Sequence, residues 1–120
     1  MTPAARGALA ETLCALVLRG KFYRILARRH VTGRGSGAGE IDIVARKGGT
    51  LVFVEVKARA DLATAAGAIS ARQRRRLLRA AGAFLTRRPE LAGLALRFDA
   101  MLVAPWRLPH HVIDAWREEG

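Results

Sequence analysis

Gly39-Glu40-Ile41-Asp42-Ile43-Val44-Ala45-Arg46, a Lys47-Gly48-Gly49-Thr50 break, and Leu51-Val52-Phe53-Val54-Glu55-Val56-Lys57 decide how this chain reads. Both arms are rich in β-branched residues and a Gly-Gly pair separates them, the pattern of a β-hairpin. With Gly48-Gly49 at the tip, Lys47 faces Thr50. Counting outward then puts Asp42 opposite Glu55 and Glu40 opposite Lys57. Side chains alternate along a strand, so these four share one face, while Ile41, Ile43, Val54 and Val56 line the other.

Two carboxylates opposed across a ladder destabilise it unless a proton or a cation lies between them. Hard divalent ions take oxygen ligands of this kind, typically one or two carboxylates plus waters and substrate phosphates. Lys57, two residues past the second acid, brings a further positive charge to the same place. That combination suits metal-dependent phosphodiester cleavage. The bland alternative is a cross-strand ion-pair cluster, Glu40 with Lys57, in which Asp42 and Glu55 are simply solvated.

Working outward, Leu9, Leu13, Leu16 and Val17 recur at helical spacing and predict a helix over 8–18, with that stripe buried and Gly20 as its stop. Glu11 lies off the stripe, which makes it a solvated helix residue on the sequence alone. Phe22 to Arg28 reads as a strand, and the glycine-rich 33–39 segment as a loop leading into the hairpin. It is no Walker loop, because no Gly-Lys-Ser/Thr follows. Residues 59–67 show no period and read as a loop. Ser70 is positioned to cap a helix running to about Arg87, with Leu77, Leu78, Ala81, Phe84 and Leu85 as its buried stripe. Pro89 marks its end. Leu94 to Val103 reads as a strand with Arg97 and Asp99 inside it, at an edge or in a buried salt bridge, and 111–116 as a short closing strand. His110 and His111 lack metal-ligand spacing and read as surface or packing residues. The order predicts one domain over 1–120 with a mixed sheet and helices, α/β or α+β.

The net charge is +11, from 21 Lys and Arg against 10 Asp and Glu. Such an excess favours a polyanion through steering and counterion release, although a generally basic surface would look the same. Arg72, Arg74, Arg75, Arg76 and Arg79 crowd the second helix with no acid nearby. They repel one another at helical spacing, and a phosphate backbone would relieve them. Cys14, the only cysteine, excludes an intramolecular disulfide and a cysteine zinc site. It reads as a small buried side chain. No apolar run is long enough to span a bilayer. Arg6 and Glu11 interrupt any signal-peptide core, so cytoplasmic location is the default expectation.

Gly39-Glu40-Ile41-Asp42 followed by Phe53-Val54-Glu55-Val56-Lys57-Ala58-Arg59 resembles the YraN-like family of bacterial proteins. That family is similar to the PD-(D/E)XK superfamily of restriction endonucleases and Holliday-junction resolvases. Gly20-x-x-Tyr23-Arg24-Ile25-Leu26, Arg72-Gln73 and Arg97-Phe98-Asp99 extend the likeness, which covers about residues 6–104. The resemblance implies a restriction-endonuclease-like α/β core, a mixed central sheet flanked by helices, with the site on the hairpin. It implies Asp42 and Glu55 as metal-binding acids, Lys57 as the catalytic lysine, the Val56 carbonyl as a further ligand, and Glu11 as an extra acid. Gln73 resembles a helical glutamine near the site. The chain lacks the usual Phe-Gly-x-Pro pattern after the Lys-x-Arg segment and has alanine-rich 61–70 instead. A Mg²⁺- or Mn²⁺-dependent nuclease acting on DNA, branched or damaged DNA included, is the expectation, with a homodimer compatible because related resolvases pair. The alternative is a non-catalytic nucleic-acid-binding module that keeps the fold; a third is a subunit docking its basic face on an acidic protein.

Overall fold

Gly48 takes φ +59°, a left-handed conformation that glycine enters without a Cβ penalty. It turns strand β2 (Glu40–Lys47) directly into β3 (Thr50–Ala58). The computed structural model describes residues 2–31 and 40–117; the loop expected at 33–39 lies outside them. Helix α1 (Pro3–Gly20) leads to β1 (Arg24–Val31). After the hairpin come α2 (Leu62–Gly67), α3 (Ala71–Arg87), a 3-10 turn Pro89–Leu91, β4 (Ala95–Val103) and β5 (His110–Trp116). The strands form one mixed sheet in the order β1-β2-β3-β4-β5, parallel between β3 and β4 and antiparallel elsewhere. The molecule is therefore an α/β fold whose five-stranded mixed sheet is flanked by helices, consistent with a restriction-endonuclease-like core.

The crossover between the parallel pair carries α2 and α3 onto one face of the sheet. There Leu77, Ala80, Ala81 and Phe84 pack with Val44, Leu51, Phe53 and Phe98. On the other face Cys14, Ala15 and Leu18 of α1 pack with Ile43, Ala45, Val52, Val54 and Met101. Central strands covered on both sides read as continuous apolar runs, which is what Ile43-Val44-Ala45 and Leu51-Val52-Phe53-Val54 are. Ser70 accepts the Gln73 N–H at 3.1 Å and starts α3 where the sequence predicts.

Three expectations change. Residues 59–67 are not all loop, because Asp61 accepts the Thr64 N–H at 2.7 Å and caps the six-residue α2. Phe22 lies outside β1 at φ 70° and is 86% exposed. Most consequential is α1, whose expected buried stripe faces outward except for Val17: Leu9, Leu13 and Leu16 are 40–55% exposed. Ala10, Glu11, Cys14, Ala15 and Leu18 face the sheet instead. Small side chains let the helix sit close to a tightly packed strand surface, and close packing outweighs the wider apolar stripe.

Arg97 and Asp99 form the buried salt bridge, with Arg97 Nε and Nη2 donating to the two Asp99 oxygens at 2.8 Å each. Arg97 Nη2 also donates to the Tyr23 hydroxyl at 2.6 Å. Of the two readings of His111, surface or packing, the second holds: its side chain is buried in this cluster. Lys21 Nζ donates to its Nδ1 at 2.9 Å, which leaves Nε2–H to donate to Asp99 at 2.6 Å. The Asp114 N–H completes the set at 2.9 Å. The cluster ties β4 and β5 to the turn after α1.

Candidate functional site

The hairpin register is the expected one from Lys47↔Thr50 to Ile43↔Val54. There the β2–β3 ladder stops. β2 continues beside β1 through His30↔Ile41 and Val31↔Glu40, and β3 continues beside β4 to Ala58↔Val103. The two strands of the hairpin thus fork at Asp42 and Glu55. Asp42 occupies the fork, its Oδ2 accepting the Val56 N–H at 2.8 Å in place of a ladder bond. The fork also breaks the side-chain alternation, since Ile41 packs with the α3-side cluster while Ile43 packs with the α1-side cluster. Ile43, Val54 and Val56 share the α1-side face as expected, and Ile41 does not. Nor does Lys57 meet Glu40: its Nζ pairs with Glu55 Oε1 at 2.9 Å.

Burial, and then the Glu55 charge, push the Asp42 carboxyl from the usual 3.8 up to about 7; the Glu11 charge adds to this, while the Val56 N–H and Lys57 oppose it. Glu11 reaches the site because α1 turns that residue inward, to 5% exposure. Its charge is met by Arg29 Nε at 3.1 Å and, on the other oxygen, by Arg28 Nε at 3.4 Å. The Arg28 approach lacks hydrogen-bond geometry, so Glu11 Oε1 is buried without a donor. Arg29 holds φ 49° in this position, a strained backbone for a non-glycine residue.

Gln73 projects from the first turn of α3 toward Lys57. With its oxygen toward Lys57 Nζ and its nitrogen toward the Ala68 carbonyl, both at 2.8 Å, each amide atom meets a complementary partner. The opposite orientation sets the amide NH₂ against the ammonium and leaves only a 3.4 Å contact from the Ser70 N–H. Gln73 and Glu55 together hold the lysine, whose side chain is only 14% exposed.

Glu11, Arg29, Glu40, Asp42, Val56, Lys57 and Arg59 line one cleft of about 350 Å³. All its fixed donors to a cation would be oxygens. Asp42 and Glu55 come close enough to perturb each other and Glu11 stands beside them, yet among the described residues no three His, Cys, Asp or Glu gather in a metal-holding arrangement. The five α3 arginines, Arg72, Arg74, Arg75, Arg76 and Arg79, are all exposed. Arg74 lies over the Trp116 ring at 6.0 Å, and among the described residues none of the five pairs with a carboxylate. Sequence reasoning missed Arg28 and Arg29. One signal for them was present: Glu11 is the only acid before Glu40, in a segment otherwise basic.

The model of an uncharacterised protein family, UPF0102, matches residues 10–103. A UPF0102 protein of Paramagnetospirillum magneticum is 60% identical over 112 residues, covering 93% of this chain and 87% of the relative. One from Methylorubrum extorquens is 53% identical over 115 residues, 96% and 87% of the two chains. Another, from Parvibaculum lavamentivorans, is 53% identical over 111 residues, 92% and 80%. The chain belongs to the UPF0102 family.

Proposed function

We propose that this member of the UPF0102 family hydrolyses phosphodiester bonds in DNA, branched or damaged DNA included, with Mg²⁺ or Mn²⁺ as cofactor. One observation carries the reading. Asp42 is buried in a fork beside Glu55 and is short of positive charge, so that burial first and the Glu55 charge second hold a proton on its carboxyl up to about pH 7. A hard divalent cation suits that deficit, and its oxygen donors would be Asp42, Glu55, the Val56 carbonyl and Glu11, whose Oε1 has the Arg28 charge at 3.4 Å but no hydrogen-bond donor. Such an ion supplies Lewis-acid charge to the phosphoryl oxygens in the transition state.

The chain's own residues do the remaining work. Glu55 and Gln73 fix the Lys57 ammonium at the cleft wall, where it neutralises the phosphate or positions the attacking water. Arg29 and Arg59 line the same cleft and hold the polyanion in place. The α3 arginines add sequence-independent attraction.

Titrating Mg²⁺ and Mn²⁺ into wild type and Asp42→Ala tests the proposal, with melting temperature and DNA cleavage as readouts. The ion raises the melting temperature of wild type alone and supports cleavage by wild type alone. Identical behaviour of the two proteins would sink the catalytic reading. A non-catalytic nucleic-acid-binding module is the second reading, favoured by the absence of a three-acid cage among the described residues. In that case binding survives Asp42→Ala and falls when Arg74, Arg75 and Arg76 are replaced.

A further inference from the structure

Trp106 buries no area against the rest of the fold. It is 102% exposed, and its backbone is held at φ 66°, in the left-handed region that side chains enter at a cost. It sits in the β4–β5 connection, directly after Pro105 and directly before Arg107. A large aromatic ring in this setting neither buries apolar area nor relaxes the chain, so its use lies outside the monomer.

Its surroundings identify the partner. Trp106 lines a shallow cleft of about 270 Å³ with Leu9 and Leu13 of α1 and with three arginines, Arg6, Arg59 and Arg107. No acidic residue lines it. Ala10 and Arg59 also line the acid cleft that contains Asp42 and Lys57, so the two clefts are neighbours. An exposed aromatic ring among guanidinium groups and apolar side chains is how proteins hold an unpaired base: the ring stacks on the base while the cations meet the flanking phosphates. A base inside a duplex offers no free face to stack on. A second copy of this chain would match the leucines but would set three arginines against three more.

We propose that Trp106 is a base-stacking residue that selects nucleic acid with unpaired bases next to the scissile phosphate. This rests on the acid cleft being a nucleic-acid site. It narrows the substrate from DNA in general to single strands, flaps or branch points.

The test measures binding in EDTA, so that it does not depend on cleavage. Probes are a short oligothymidylate and a blunt duplex of equal length, and proteins are wild type, Trp106→Ala, Trp106→Phe and Arg75→Ala. Trp116 is buried, so fluorescence quenching by the oligothymidylate reports mainly on Trp106. Trp106→Ala lowers affinity for oligothymidylate by about five- to a hundredfold and leaves duplex affinity unchanged, Trp106→Phe restores most of the loss, and Arg75→Ala weakens both probes alike. An equal loss on both probes, or none, overturns the stacking role while leaving the nuclease proposal standing. Binding of neither probe overturns both. Wild type sedimenting as a dimer that Trp106→Ala dissociates, with oligothymidylate affinity unchanged, assigns the surface to a second copy and overturns the proposal.

Discussion

Asp42 makes the forked hairpin measurable without substrate or metal. Its carboxyl rises from the usual 3.8 to about 7, chiefly through burial and then through the Glu55 charge. Between those two values the folded protein holds a proton that the unfolded chain has released, so stability falls as pH rises through that window and is flat on either side. At about 1.36 kcal/mol per pH unit, the full displacement corresponds to about 4 kcal/mol. Asp42 keeps partial solvent access, which reduces the expected effect to ~2 kcal/mol. Asp42→Asn removes the titration but keeps an oxygen to accept the Val56 N–H. In EDTA, the variant should match wild type near pH 4 and exceed it by ~2 kcal/mol at pH 8, or roughly 8 °C in melting temperature for a chain of this size. Taking the difference between two proteins at each pH cancels every other titrating group that does not touch Asp42. A difference that stays constant from pH 4 to pH 8 would refute the picture of a buried Asp42 carboxyl held beside a second acid.

Asp99→Asn leaves the Arg97 guanidinium half-paired inside the protein and should cost about 3–5 kcal/mol in urea unfolding; a loss under about 1 kcal/mol would show the cluster to be expendable. Burial raises the Asp99 carboxyl, but His111, Arg97 and the Asp114 N–H outweigh it and hold it below its usual value. Its contribution is therefore present at neutral pH and disappears as acid protonates it. The Cys14 thiol is pushed up to about 12, mainly by burial and further by the Asp42 and Glu11 charges. It should resist an aromatic disulfide reagent in the native protein and react fully in denaturant, and rapid native labelling would contradict its placement under α1.

The hairpin was legible because every local signal agreed. A Gly-Gly tip, two β-branched arms and the alternation of charge led to one register, and Ile43↔Val54 confirms it. The Ser70 cap was legible for the same reason. The end of the ladder was not. Nothing in Asp42-Ile43 announces that the Asp42 side chain will take the Val56 N–H, because that exchange depends on β2 following β1 while β3 follows β4. The hydrogen bonding of His111 was hidden similarly: its partners Lys21 and Asp99 are distant in sequence and meet only when β5 pairs with β4.

Helix α1 departs from its apolar periodicity for a reason that bears on the site. Apolar periodicity favours the widest hydrophobic stripe, and Leu9, Leu13 and Leu16 supply it. Packing against a flat, filled strand surface favours the narrowest side chains, and Ala10, Cys14 and Ala15 supply those. Choosing the narrow face turns the helix so that Glu11 enters the fork beside Asp42, and the same rotation leaves Leu9 and Leu13 outside, lining one cleft with Trp106. A helix seated on its leucines would have kept Glu11 in solvent and removed both the extra acid and the apolar floor next to Trp106. The acid cleft and the neighbouring aromatic surface thus share one cause, the close approach that three small residues allow.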